Sequence, residues 1–210
     1  MSEPRTDAAI SSPWSGGVSP FAIGSKKLGM WLFIISDALT FTALLVAYSY
    51  SRLTNPNWPT PFPIWPAIAL SSMMSVILLS SSLTMVMGVA AAARGDRRAT
   101  VKWILFTMLG GLLFIVLHLY EWMHLIHDGL RPFANAWGGS PLFGATFFGV
   151  TGMHMTHVAI GVIYLGIIAA GFGRGKFTSE DVEITGLYWH FVDLVWMFVF
   201  PLIYLMSVKY

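Results

Sequence analysis

The chain has 210 residues, of which 56% are apolar types and 10% are charged; this excludes a soluble globular domain and points to a polytopic membrane protein. Its net charge of +2 comes from 12 basic and 10 acidic residues, and the basic ones sit mostly between apolar stretches and form no stripe, which excludes a nucleic-acid partner. The absence of cysteine excludes disulfides, thiolate metal sites and iron–sulfur clusters.

In chain order, residues 1–27 are rich in Ser, Pro and Gly, carry no signal-peptide pattern and read as a cytoplasmic tail ending in Lys26-Lys27. Five apolar spans follow, near 28–50, 67–93, 102–126, 142–171 and 186–208. Each exceeds the roughly 20 residues a helix needs to cross a bilayer. They predict an all-α fold: a polytopic membrane helix bundle with five transmembrane helices over residues 28–208. The fourth is over-long, so it tilts or projects into water. Between the first two spans, Asn55 to Pro66 holds five prolines, which forbid helix continuation, and Trp58 and Trp65 suit a headgroup-level belt. The second connection, Arg94 to Arg98, is a short charged turn; the third, His127 to Pro141, is Gly-rich; the fourth, Phe172 to Thr185, carries Arg174 and Lys176.

Counting cations by side gives the orientation. Arg5, Lys26, Lys27, Arg94, Arg97, Arg98, Lys102, Arg174 and Lys176 fall on one side, nine in all, against Arg52, Arg131 and Lys209 on the other. The positive-inside rule then puts the N-terminus in the cytoplasm and the C-terminus outside.

Ionisable groups inside a span cost about 2.5–3.5 kcal/mol each on insertion scales, so they face a protein interior and a partner. Asp37 lies on the first span, roughly 14 Å from its cytoplasmic end at 1.5 Å per residue. His118, Glu121 and His124 lie in the outer third of the third span, His154 and His157 near the middle of the fourth, and His190 and Asp193 in the inner third of the fifth. These form two expected polar layers, one outer and one inner-to-middle, with Asp37 within reach of His154, His157, His190 and Asp193. On the fifth helix, Trp189, His190, Asp193, Trp196 and Met197 share one face, and Phe191, Leu194, Val195, Phe198 and Leu202 the opposite, lipid-facing one. His190 and Asp193 read as a buried pair that fixes a helix interface. The second span carries Ser71, Ser72, Ser75, Ser80, Ser81, Ser82 and Thr84, small residues that permit close helix approach, as do Ala145 and Gly149 on the fourth.

Glu121-x-x-His124 and His154-x-x-His157 have the spacing that puts two metal ligands on one helix face. A di-iron carboxylate bundle needs two Glu-x-x-His pairs and two further Glu residues, and here one Glu lies inside any span. A bis-histidine haem is the other metal reading. The favoured reading is hydrogen-bonded core histidines with no metal in this chain. A transporter would show inverted repeats or broken helices, and no repeat is visible; an oxygenase would need more ligands.

The run Phe147-Phe-Gly-Val-Thr-Gly-Met-His-Met-Thr-His-Val-Ala-Ile-Gly161 resembles the His-x-x-His helix of subunit III of haem–copper oxidases. Tyr188-Trp-His-Phe-Val-Asp-Leu-Val-Trp196 resembles that family's "YWHFVDVVW" signature, Gly29 to Phe41 its first shared helix, and Leu119-Tyr-Glu-Trp122 its "EY/EW" turn. The four motifs fall in register over residues 26–208.

The resemblance implies a subunit without catalytic or redox centres in a proton-translocating respiratory complex of a bacterial plasma membrane. Haems and copper then belong to partner subunits. The chain would pack against the catalytic subunit I, with subunit II, small subunits and membrane lipids nearby, stabilising subunit I and sustaining proton uptake during oxygen reduction. Asp37, Glu121, His154, His157, His190 and Asp193 are the buried polar residues of its motifs, and Trp31, Trp122, Trp189 and Trp196 are expected at a lipid or subunit interface. Longer members have seven helices and hold phospholipid in a cleft beside the first two, which have no counterpart here. Cytochrome c oxidase members usually carry Glu where this chain has Asp37. Five helices and an Asp also occur in quinol-oxidase members, and five-helix relatives accompany nitric oxide reductases, so the electron donor stays open.

Overall fold

A computed structural model describes residues 24–134 and 136–209. Five long helices make up most of the chain: α1 (Ser25–Thr54), α2 (Ala69–Ala93), α3 (Arg97–His127), α4 (Leu142–Gly173) and α5 (Ser179–Val199). All five are long and apolar enough to cross a membrane, the second span running Ile64–Ala93 and the fifth Ser179–Ser207 with their adjoining turns. The all-α, five-span bundle expected from the apolar runs is the fold observed. At 32 residues α4 is roughly 48 Å long against a hydrocarbon core of about 30 Å, so its ends must tilt or emerge.

Polar residues set the helix ends, which is why the helices overrun the apolar stretches. Asp96 caps α3, its side chain accepting from Ala99 N–H at 3.0 Å. Thr178 and Asp181 form a reciprocal capping box that starts α5 well before its apolar run: the Thr178 N–H donates to Asp181 Oδ2 at 2.8 Å and the Asp181 N–H to Thr178 Oγ1 at 3.4 Å. Gly95, at φ 76°, closes α2 in the left-handed conformation, with the Asp96 N–H reaching back to the Ala91 carbonyl at 3.1 Å. Lys26 and Lys27 belong to the first turn of α1; residues 1–23 of the expected tail lie outside the described residues.

The helices close a ring. α1 packs on α5 and α4, α5 on α2, α2 on α3, and α3 on α4, while α4 and α5 also meet across the middle. α4 and α5 are the most buried and α1 the least. Two ties fasten the ends. At one, Lys26 Nζ meets Asp181 Oδ1 at 2.8 Å and Lys27 Nζ meets Glu183 Oε1 at 2.6 Å, joining α1 to α5. At the other, two short strands pair in parallel, β1 (Phe62–Pro63) with β2 (Val208–Lys209), and Arg52 donates to Ser207 Oγ at 3.0 Å and to the Met206 carbonyl. Between α5 and β2, Phe200–Tyr204 widens into a π turn around Pro201, which has no N–H to give, and this turns Ile203 and Tyr204 into the core. The up-and-down order places Lys26, Lys27, Arg94, Arg97, Arg98, Lys102, Arg174 and Lys176 at the first end and Arg52, Arg131 and Lys209 at the second.

Candidate functional site

The polar residues within the spans resolve into four separate contacts rather than two layers. The first joins α1 to α4. His157 Nε2 lies 3.3 Å from Asp37 Oδ2, with both side chains nearly buried, and His157 Nδ1 lies 2.8 Å from the Met153 carbonyl. A carbonyl only accepts, so Nδ1 carries a proton and Nε2 faces the carboxyl. Phe41 packs edge-on against this imidazole at 5.2 Å between ring centroids, and the Tyr188 hydroxyl donates to the His157 carbonyl at 3.0 Å. Of the four partners expected for Asp37, His157 is the one that meets it.

The second contact joins α5 to α2. Trp189 Nε1 donates to Ser81 Oγ at 3.1 Å, Trp196 Nε1 to Ser75 Oγ at 2.9 Å, and His190 Nδ1 lies 2.6 Å from Ser82 Oγ. The antiparallel packing sets the two ends of this ladder, with Trp189 and His190 early on α5 meeting Ser81 and Ser82, and Trp196 two turns later meeting Ser75, earlier on α2. The expected His190–Asp193 pair does not form, because His190 takes Ser82 instead; Asp193 is buried near the same hydroxyl. Trp189 and Trp196 are 1% and 0% exposed, so they are core residues and not an interface. Gly111 and Gly161 line the Trp189 ring so closely that a Cβ at either would sit 2.5 Å and 2.9 Å from it. Trp31 is exposed on α1, whereas Trp122 is half-buried against Phe148 and His118. Met197 points outward, and Phe191 and Val195 of the expected lipid face are buried.

The third contact ties α2, α3 and the end of the chain. Both Glu121 oxygens are satisfied: Ser71 Oγ donates to Oε1 at 2.7 Å and Tyr204 Oη to Oε2 at 2.7 Å. Glu121 also lines an apolar groove of about 420 Å³ with Phe62, Trp65, Leu70 and Met73. His124 is exposed and 3.6 Å from Asp128, so the Glu121-x-x-His124 pair is divided between core and surface.

The fourth is His118 with His154, both fully buried, each packed on Trp196, at 5.6 and 5.0 Å between ring centroids, and on Phe114, at 5.5 and 5.7 Å. Among the described residues no protein group hydrogen-bonds to either imidazole, which corrects the expectation of hydrogen-bonded core histidines for these two. His154 and His157 therefore serve different contacts, and among the described residues no three His, Asp or Glu side chains converge as a metal-ligand group. Gly149 faces outward with nothing within 4 Å of a Cβ placed on it, so Ala145 and Gly149 do not make a packing seam inside this bundle.

Sequence reasoning missed Ser75 and Ser81 as acceptors, Ser82 as the partner of His190, and Tyr204 as a donor. The serines stood out as small hydroxyl residues on α2, but their spacing did not name the partners: matched in reverse it would pair Trp189 with Ser82 and His190 with Ser81, whereas the structure pairs Trp189 with Ser81 and His190 with Ser82.

Comparison with known proteins decides the family. The model of "Cytochrome c oxidase subunit III" matches residues 6–208. The chain belongs to the cytochrome c oxidase subunit III family. Among its relatives, "Cytochrome c oxidase subunit 3" of Alkalihalophilus pseudofirmus is 29% identical over 187 residues, covering 88% of each chain. "Quinol oxidase subunit 3" of Bacillus subtilis is 32% identical over 184 residues, covering 86% of each. "Probable cytochrome c oxidase subunit 3" of Nocardia farcinica is 32% identical over 182 residues, covering 85% of this chain and 86% of its own. In this family member the residues of the Tyr188–Trp196 motif are spent on bonds between helices: Tyr188 to α4, and Trp189, His190 and Trp196 to α2.

Proposed function

We propose that this chain is the non-redox subunit III of a respiratory haem–copper terminal oxidase in a bacterial plasma membrane. It packs against the catalytic subunit I, with subunit II and small subunits nearby and membrane lipids around it. Haems and copper are held by those partners. Its N-terminus is cytoplasmic, because eight of the described cations lie at the end where α1 begins against three at the other.

The family match over residues 6–208 carries this reading. The polar interior supports it: Asp37, Glu121, His157, His190, Trp189 and Trp196 each make a polar contact to another element of the bundle. Such a bundle suits a rigid buttress that stabilises subunit I and holds its proton-uptake region in a productive arrangement. Asp37 acts in this reading as a positioning residue and not as a proton conductor.

Membranes lacking this chain test the role. They should contain less spectrally intact oxidase, and what remains should lose oxygen consumption progressively during turnover. Haem content and steady rates equal to the parent's would contradict it. A quinol-oxidizing complex is the second reading, favoured by the Bacillus subtilis relative's identity and coverage. Oxygen uptake by the purified complex with reduced cytochrome c or with quinol separates the two.

A further inference from the structure

At the end of the bundle where α3 begins and α4 stops, a surface groove of about 910 Å³ is lined by Arg97, Arg98, Lys102, Leu105, Leu109 and the terminal Gly173 of α4, among others. Arg98, Lys102, Leu105 and Leu109 follow one stripe of α3 at helical spacing, all exposed. Its charge is unbalanced. Among the described residues, Lys26 and Lys27 at this end take Asp181 and Glu183, whereas Arg97, Arg98 and Lys102 have no carboxylate within ion-pair distance. The neighbouring Asp96 spends its side chain on the Ala99 N–H. Lys102 has in addition the Phe106 ring, 5.9 Å away. Below the cations the groove is apolar, and from Arg98 to Leu109 it runs roughly 16 Å along the helix. That is about half of a ~30 Å hydrocarbon core, the depth of one leaflet.

We propose that this groove binds an anionic phospholipid of the adjoining leaflet, with Arg97, Arg98 and Lys102 holding the phosphate and an acyl chain lying along Leu105 and Leu109. Cations without a carboxylate partner among the described residues suit a phosphodiester at headgroup depth, and the apolar stripe beneath them accommodates the hydrocarbon that a free phosphate lacks. The site lies wholly among the five helices this chain has. It gives a place to the lipid partner of the proposed function and rests on its five-span embedding, not on assembly with an oxidase.

The test uses the full chain in neutral detergent, titrated with phosphatidylglycerol or phosphatidylcholine, with bound lipid counted by native mass spectrometry. The parent should retain phosphatidylglycerol in preference to phosphatidylcholine. Arg98→Gln with Lys102→Gln should lower that preference roughly thirtyfold. Arg98→Lys with Lys102→Arg, which keeps the charge, should retain it. Arg174→Gln with Lys176→Gln removes the same charge from the same end outside the groove and should leave the preference intact. Equal losses in the two charge-removing pairs would mean diffuse attraction and overturn the site, as would a parent without preference. Displacement of the lipid by inorganic phosphate at equal phosphate concentration would also overturn it, because the occupant would then be an ion. Co-purification with a haem protein tests the oxidase assignment separately, so either can fail alone.

Discussion

Asp37 and His157 stand 3.3 Å apart between α1 and α4, and the geometry says what holds them. With His157 Nδ1 committed to the Met153 carbonyl, Nε2 and the carboxyl attract only with a proton between them. Asp37→Asn supplies an amide donor of the same shape, so thermal unfolding of the purified protein should show it within about 1 kcal/mol of the parent. Asp37→Leu leaves a nearly buried imidazole nitrogen unpaired and should cost about 1–3 kcal/mol. Equal stabilities for the two variants would show that this contact contributes nothing. Trp196 offers a second residue-scale test, because its Nε1–H to Ser75 at 2.9 Å is one of three rungs between α5 and α2. Hydrogen bonds between membrane helices average about 0.6 kcal/mol, with values up to about 1.7. A double-mutant cycle of Trp196→Phe and Ser75→Ala should therefore return a coupling energy of that size, and strictly additive effects would contradict the bond.

At the scale of the element, α5 shows how far a sequence can be read. Its buried face was legible because ionisable and indole groups inside an apolar run must turn inward, and Trp189, Asp193 and Trp196 do. Their partners were not legible. Serine spacing on α2 reads equally well as a seam of small residues, and choosing between seam and ladder requires the register of two antiparallel helices, which a linear pattern does not carry. Depth misled in the same way: His118 and His154 were assigned to different layers from their positions along separate helices, yet both pack on the broad ring of Trp196. Tyr204 was invisible because the π turn at Pro201 decides which side chains of the last turns face inward. α3 meets α5 at Gly111, where an added methyl would lie 2.5 Å from Trp189 and 2.8 Å from Val162. Gly111→Ala should destabilise the bundle by about 1–3 kcal/mol, read from unfolding in detergent. A variant as stable as the parent would show that the Trp189 and Val162 side chains yield freely.

For the whole molecule, the five-helix ring carries ties at both ends: ion pairs from α1 to α5 at one, and the β1–β2 pairing with Arg52 at the other. Up-and-down connectivity puts the cation-rich turns on one side, so a reporter inserted near Gly95 should read as cytoplasmic and one fused after Tyr210 as extracytoplasmic. The reverse pair of signals would overturn the orientation. The central claim is that the bundle is a buttress within a terminal oxidase, and isolating it from its native membrane under mild detergent tests that most directly. An optical spectrum and a subunit inventory should reveal haem together with a large polytopic partner in constant ratio to this chain. A colourless preparation holding this chain without such a partner would contradict the account.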